Sequence, residues 1–205
     1  MKNNCAIVLN GKIENYSFLK MKLKDYKTVI AADGGMNHLK KIDILPDVLL
    51  GDFDSFDLNK IDEKKIEIQQ FKTDKNFTDG EIAIDYIIDK NIKKVDIYGA
   101  LGNRIDHLLA NIHLLEKLLL NKTKGRIVTY NNILRMFDSE IVIKTKEFDY
   151  FEVFSILAYS EVIKGLCIKN AKYPLNNKTL YRKNTLGISN EFLKDNIKIS
   201  IKSGI

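Results

Sequence analysis

The chain has no tryptophan, two prolines, two cysteines and three histidines among 205 residues. Without tryptophan, aromatic stacking on any ligand falls to tyrosine or phenylalanine. Cys5 and Cys167 match no metal-ligand spacing, and each lies in an apolar, strand-like run. Both read as buried free thiols, which excludes a disulfide framework and a cysteine zinc site. No signal peptide is expected, since Met1-Lys2-Asn3-Asn4 leads straight into Cys5-Ala6-Ile7-Val8-Leu9. No apolar run approaches the roughly 20 residues of a membrane-spanning helix. The expectation is a cytoplasmic protein with no membrane partner. Internal repeats, low-complexity tracts and a basic block are also missing. The net charge of +6 comes from scattered lysines with no basic and aromatic stripe, so nucleic acid is not an expected partner.

What is present is a succession of short apolar runs. Cys5-Ala6-Ile7-Val8-Leu9, Thr28-Val29-Ile30-Ala31-Ala32, Val48-Leu49-Leu50 and Val95-Asp96-Ile97-Tyr98 read as buried strands, with Ile66-Glu67-Ile68 as a further one. Helical stretches are expected over residues 17–24, 36–41 and 78–89. The clearest helix follows residue 104, where Ile105, Leu108, Leu109, Ile112, Leu115, Leu118 and Leu119 recur at helical spacing. Strands apolar throughout, separated by helices, indicate a parallel sheet covered on both faces. After Arg126 convincing helices stop and short strand-like runs take over. The expected division is therefore an α/β domain over 1–123 and a smaller β-sandwich over 124–205.

In parallel sheets, ligands bind beyond the carboxyl ends of the strands. Three acidic loops fall at such ends. Asp33-Gly34-Gly35 follows the second strand. Gly51-Asp52-Phe53-Asp54-Ser55 follows the third, and its two carboxylates share a direction if the backbone stays extended. Lys72-Thr73-Asp74-Lys75-Asn76-Phe77-Thr78-Asp79-Gly80-Glu81 precedes a helix that Thr78 and Glu81 open as a capping box. Asp79 then sits in the first turn, where free N–H groups favour negative charge. By itself each has an ordinary reading as a turn or a cap. Together they suit magnesium, a hard cation that keeps waters and bridges phosphates. Gly99-Ala100-Leu101-Gly102-Asn103-Arg104 adds two glycines and a cation at a helix start, as an oxyanion ligand requires. His113 reads as a packed or surface residue, while His107, one turn from the glycines, stays open between structure and site. The chain contains no Walker loop, no protein-kinase signature set and no Ser-His-Asp or Cys-His arrangement. The residues alone lead to a magnesium- and phosphate-handling α/β enzyme with a β domain attached.

The motifs carry a resemblance. Ala32-Asp33-Gly34-Gly35-Met36-Asn37, Pro46-Asp47, Gly51-Asp52-Phe53-Asp54-Ser55, Thr78-Asp79-Gly80-Glu81 and Gly99-Ala100-Leu101-Gly102-Asn103-Arg104-Ile105-Asp106-His107 resemble, in order, the motifs of the thiamine pyrophosphokinase family. Tyr173-Pro174-Leu175 and Gly187-Ile188-Ser189-Asn190 resemble its C-terminal signatures, so the likeness spans about 5–201. The resemblance implies a Rossmann-like catalytic domain, a thiamine-binding β domain, and diphosphate transfer from ATP to the thiamine hydroxyl. It implies catalytic roles for Asp33, Asp52, Asp54 and Asp79, with Asp52, Asp54 and Asp79 holding Mg2+. On the nucleotide side it places Asp74, Lys75, Thr78, Gly99, Gly102, Arg104, Asp106 and His107, and on the thiamine side Ser189 and Asn190. It also implies a homodimer in which the β domain of one subunit completes the other's site.

Four departures stand out. Asn76 replaces a usual Asp, Asn103 a usual Gly, tryptophan is missing, and the sequence stops at Ile205 where the family tends to have one more short strand. The alternatives are a diphosphokinase for another alcohol, such as a hydroxymethyl pterin, and a binding sensor without turnover. Three intact carboxylates argue against the sensor, because they repel a triphosphate unless a metal intervenes.

Overall fold

Apolar runs without polar interruption can be buried on both faces, and this is how the chain uses them. The computed structural model describes residues 4–51, 66–71, 77–102, 104–145 and 151–205. Two compact units emerge, Met1–Arg135 and Met136–Ile205.

In the first unit, β1 (Asn4–Val8), β2 (Thr28–Ala32), β3 (Val48–Gly51), β4 (Glu67–Gln70), β5 (Lys94–Tyr98), β6 (Lys124–Val128) and β7 (Ile133–Leu134) form one sheet. Their order is β4-β3-β2-β1-β5-β6-β7, parallel throughout except for β7 on β6. The helices are α1 (Tyr16–Leu23), α2 (Gly35–Lys40), α3 (Asp79–Asp89) and α4 (Ile105–Leu120). Side chains alternate across each strand, so Ala6, Val8, Val29, Ala31 and Leu49 form one face. That face packs against Leu19 and Leu23 of α1 and Met36 and Leu39 of α2. The other face meets α3 and α4. Gly125 of β6 lies under Leu118 of α4, where an added Cβ would sit 2.5 Å from the leucine methyl. Each fully buried Ile or Leu contributes about 1.5–3 kcal/mol through apolar burial.

One charged cluster interrupts this core. Asp96 of β5 is 1% exposed. It accepts hydrogen bonds from Nε and Nη2 of Arg126 on β6 and from the hydroxyl of Tyr26. The Tyr26 hydroxyl also lies 2.8 Å from that of Tyr98.

The division expected at 123/124 is corrected by the pairing. β6 lies parallel to β5 from Lys94↔Lys124 to Ile97↔Ile127, and β7 pairs with β6. These strands look locally like any β run, and only their hydrogen-bond partners assign them to the first sheet. In the second unit, β8 (Glu140–Lys144), β10 (Val162–Lys169), β11 (Leu175–Tyr181) and β13 (Asn196–Ser200) form an antiparallel sheet ordered β11-β10-β13-β8. β9 (Val153–Phe154) and β12 (Asn190–Glu191) make a separate antiparallel pair. Asn176-Asn177-Lys178, whose residue types disfavour strands by propensity, lies inside β11. This is an edge strand, so its polar side chains can face solvent while the backbone pairs with β10.

Candidate active site

The sheet order reverses between β2 and β5, with β1 at the centre, so two consecutive carboxyl-end loops diverge there. A crevice opens at such a switch point. The seam beside it is close. Leu9 N–H donates to Tyr98 O (2.9 Å), Gly11 N–H to Gly99 O (2.8 Å) and Lys12 N–H to Leu101 O (3.0 Å). Gly99 has φ +65°, and a Cβ there would lie 2.3 Å from Leu9 O. A Cβ on Gly11 would lie 2.2 Å from Gly99 O. Two glycines are what allow the loops to approach.

Asp33 leaves β2 with φ 45°, a left-handed conformation that Asp tolerates better than most residues. Its N–H donates to Leu50 O at 2.7 Å and its carbonyl accepts from Met36 N–H at 3.1 Å. Asp79 opens α3 behind Thr78, whose Oγ1 accepts from Glu81 N–H at 3.2 Å. Only half of the expected capping box forms. The Glu81 carboxylate instead takes Lys117 Nζ of α4 at 3.0 Å, and that ammonium also meets Asp85 at 2.6 Å. The exchange ties the start of α3 to α4.

Asp33, Thr78 and Asp79 line a cleft of about 490 Å³ together with Gly99, Gly102, Arg104 and His107. Arg104 precedes α4 and is held by Asp106 through Nε–Oδ1 (3.2 Å) and Nη2–Oδ2 (2.6 Å). The guanidinium draws the Asp106 pKa down to about 2. Asp52, Asp54, Asp74 and Lys75, expected in the same site, lie outside the described residues, as do Asn76 and Asn103.

Ser189 and Asn190 belong to the second unit. Ser189 has φ 56° and donates its N–H to Ser155 Oγ at 3.1 Å. Asn190 is buried, and both ends of its side-chain amide are bound to backbone. Oδ1 accepts from Tyr173 N–H (3.0 Å) and Glu191 N–H (2.9 Å), while Nδ2 donates to Tyr173 O (2.8 Å).

Sequence reasoning missed several cleft residues: Asn10, Gly11, Lys12, His38 and Asn111. Asn10-Gly11 is a turn signal by residue type, and its place directly after the apolar run Cys5 to Leu9, at a strand end, is the signal that marks it. Asn111 donates from Nδ2 to Ala100 O at 2.7 Å and fixes the glycine loop. His38 Nδ1 lies 2.8 Å from Tyr16 Oη, which lies 3.1 Å from Lys41 Nζ. An ammonium only donates, so the Tyr16 hydroxyl accepts from Lys41. Burial lowers the His38 pKa, with the Gly11 backbone acting in the opposite sense. Its Nε2 is buried without a hydrogen-bond partner among the described residues.

Residues 19–129 match the family model "Thiamin pyrophosphokinase, catalytic domain", and residues 140–205 match "Thiamin pyrophosphokinase, vitamin B1 binding domain". The thiamine pyrophosphokinase of Bacillus subtilis is 32% identical over 180 residues, covering 86% of this chain and 83% of that protein. The crystal structure of thiamine pyrophosphokinase from Bacillus subtilis superimposes with a TM-score of 0.85 at 30% identity, over 98% of this chain and 95% of the other. That of thiamin pyrophosphokinase from Geobacillus thermodenitrificans gives 0.82 at 25% identity, over 98% and 94%. With two matched domains and a relative aligned over most of its length, the chain belongs to the thiamin pyrophosphokinase family.

Proposed function

We propose that the protein is a thiamine diphosphokinase: it transfers the diphosphate of ATP to the hydroxyl of thiamine and releases AMP. The observation that carries this reading is the cleft at the β1/β5 switch point, which gathers Asp33, Asp79, Arg104 and the Gly99 loop in a chain of this family. The thiamine oxygen attacks the β-phosphorus, the bond from that phosphorus to the α–β bridging oxygen breaks, and AMP leaves with the bridging oxygen. Such transfers are catalysed by positioning and charge stabilisation more than by covalent chemistry.

Among the described residues, no group of three or more His, Cys, Asp or Glu could by itself hold a metal. Asp79 and Asp33 nevertheless line one cleft with hard oxygen donors, and this supports a hard cation there. In our reading Asp52, Asp54 and Asp79 hold Mg2+, which when bound offsets charge on the transferred phosphates. Asp33, fixed by its backbone bonds, orients the thiamine hydroxyl. Asp74, Lys75, Thr78, Arg104 and His107, with the loop from Gly99 to Gly102, receive the nucleotide, while Asp106 steadies the Arg104 guanidinium. Ser189 and Asn190 serve the thiamine side, Asn190 by setting the backbone of Tyr173. The same reading takes the enzyme as a homodimer of the cytoplasm. Free thiols at Cys5 and Cys167 suit a reducing compartment. No helix among the described residues is long and apolar enough to cross a membrane.

The test is incubation with ATP, Mg2+ and thiamine, with hydroxymethyl dihydropterin in a parallel reaction. Formation of AMP together with thiamine diphosphate is the expected result. AMP with the pterin alone, or no AMP in either reaction, would overturn the proposal.

A further inference from the structure

We propose that Lys12 is a polyphosphate-binding residue of this enzyme, the cation that the β1 loop contributes to the cleft. The inference rests on the ATP-dependent reading above. It assigns a contact that the sequence motifs do not contain, since Lys12 precedes the segment matched by the catalytic-domain family, 19–129.

Position comes first. Lys12 lines the cleft alongside Asp79, Gly99, Gly102 and Arg104. Its backbone is not free to wander, because its N–H donates to Leu101 O at 3.0 Å and that of Gly11 donates to Gly99 O at 2.8 Å. Ile13, the next residue, packs against the hydrophobic core. The lysine is thus anchored on both sides, with its side chain exposed.

Charge comes second. The described cleft contains two carboxylates, Asp33 and Asp79, and two permanent cations, Lys12 and Arg104. Arg104 is already engaged by Asp106 on two nitrogens. Lys12 forms no ion pair or side-chain hydrogen bond among the described residues. A triphosphate entering between two carboxylates needs compensating positive charge, and a lysine on a flexible stem supplies it as a point charge. The ammonium that is unengaged among the described residues is the one available to the incoming anion.

Calorimetric titration of the full-length protein with Mg-ATP and with AMP separates this contact from the reaction. It is run on the wild type, Lys12→Ala and Lys12→Arg, with thiamine turnover measured in parallel. Loss of a charge-assisted contact weakens binding by about 10-fold or more. The expected result is that loss for ATP in Lys12→Ala, with AMP affinity changed less than about 3-fold. Lys12→Arg should recover most of it, with an unchanged KM for thiamine and an unchanged melting temperature. Wild-type ATP affinity in Lys12→Ala overturns the assignment. So does an equal loss for ATP and AMP, which marks a loop that has merely shifted, and so does a wild type that binds no ATP. A wild type that binds ATP yet makes no thiamine diphosphate sinks the proposed reaction and leaves the Lys12 contact standing.

Discussion

Gly11 and Gly99 hold each other at the base of the cleft: the amide of one donates to the carbonyl of the other at 2.8 Å, and neither position has room for a Cβ. Gly102, three residues on, is different. An added Cβ there would have its nearest neighbours at 3.5 Å, an ordinary contact. Gly99→Ala should therefore cost about 3 kcal/mol or more through strain and collision, and abolish turnover. Gly102→Ala should stay within about 0.5 kcal/mol of wild type. Chemical denaturation of both variants checks this; equal stabilities would refute the asymmetry.

The acidic loops give the second prediction. Asp52→Asn and Asp79→Asn should each abolish turnover while leaving the circular dichroism spectrum and cooperative unfolding in place. Chelation of Mg2+ should do the same to the wild type, reversibly. Thr78→Ala, which removes the α3 cap, should lower stability by about 1 kcal/mol. Near-normal rates in either aspartate variant would remove that residue from the proposed metal shell.

A third prediction concerns the buried pair. Asp96 is enclosed, and its charge is matched by Arg126. Truncating Arg126 to Leu leaves an uncompensated buried carboxylate, at a cost of about 3–5 kcal/mol. Replacing both partners with apolar residues of similar volume should recover much of that loss. Urea unfolding of the single and double variants measures it, and a cost under about 1 kcal/mol for Arg126→Leu would show that the pair contributes little.

His38 sets a pH dependence. Burial holds its folded pKa below the ordinary value of 6.5. The unfolded chain therefore binds more protons than the native one at pH just below 6.5. Stability from this group is complete above that pH and declines as the pH falls toward the folded pKa. His38→Gln should flatten the acid limb of a stability curve measured between pH 7.5 and 5. An unaltered slope would assign the limb to other groups.

Asn190 is expected to act through Tyr173. Asn190→Ala strands two backbone groups of Tyr173, and a buried unsatisfied group costs about 1–3 kcal/mol. Steady-state kinetics should show a raised KM for thiamine with that for ATP unchanged. A rise in both constants would mean that the variant disturbs more than the thiamine side.

Much of this molecule can be read without its structure. The apolar strands, the seven-point stripe of α4 and the Thr78 cap are local patterns, set by residues within a turn or two of each other. They placed α3 and α4 at their observed positions and identified the first half as a covered parallel sheet. Asp33, Asp79 and Gly99 were legible because strand ends bind ligands in such sheets, and the ordered motifs pointed to the family. Long-range pairing was not legible. β6 and β7 extend the first sheet because Val95 finds Gly125, and β11 is a strand despite its asparagines because β10 offers it an edge. Lys12 enters the cleft because the loop after β1 closes on the loop after β5, and His38 enters it from α2, the helix after β2. Chain chemistry fixes what each segment can do alone, whereas the meeting of segments some 90 residues apart depends on strand order, decided when the whole core is buried at once.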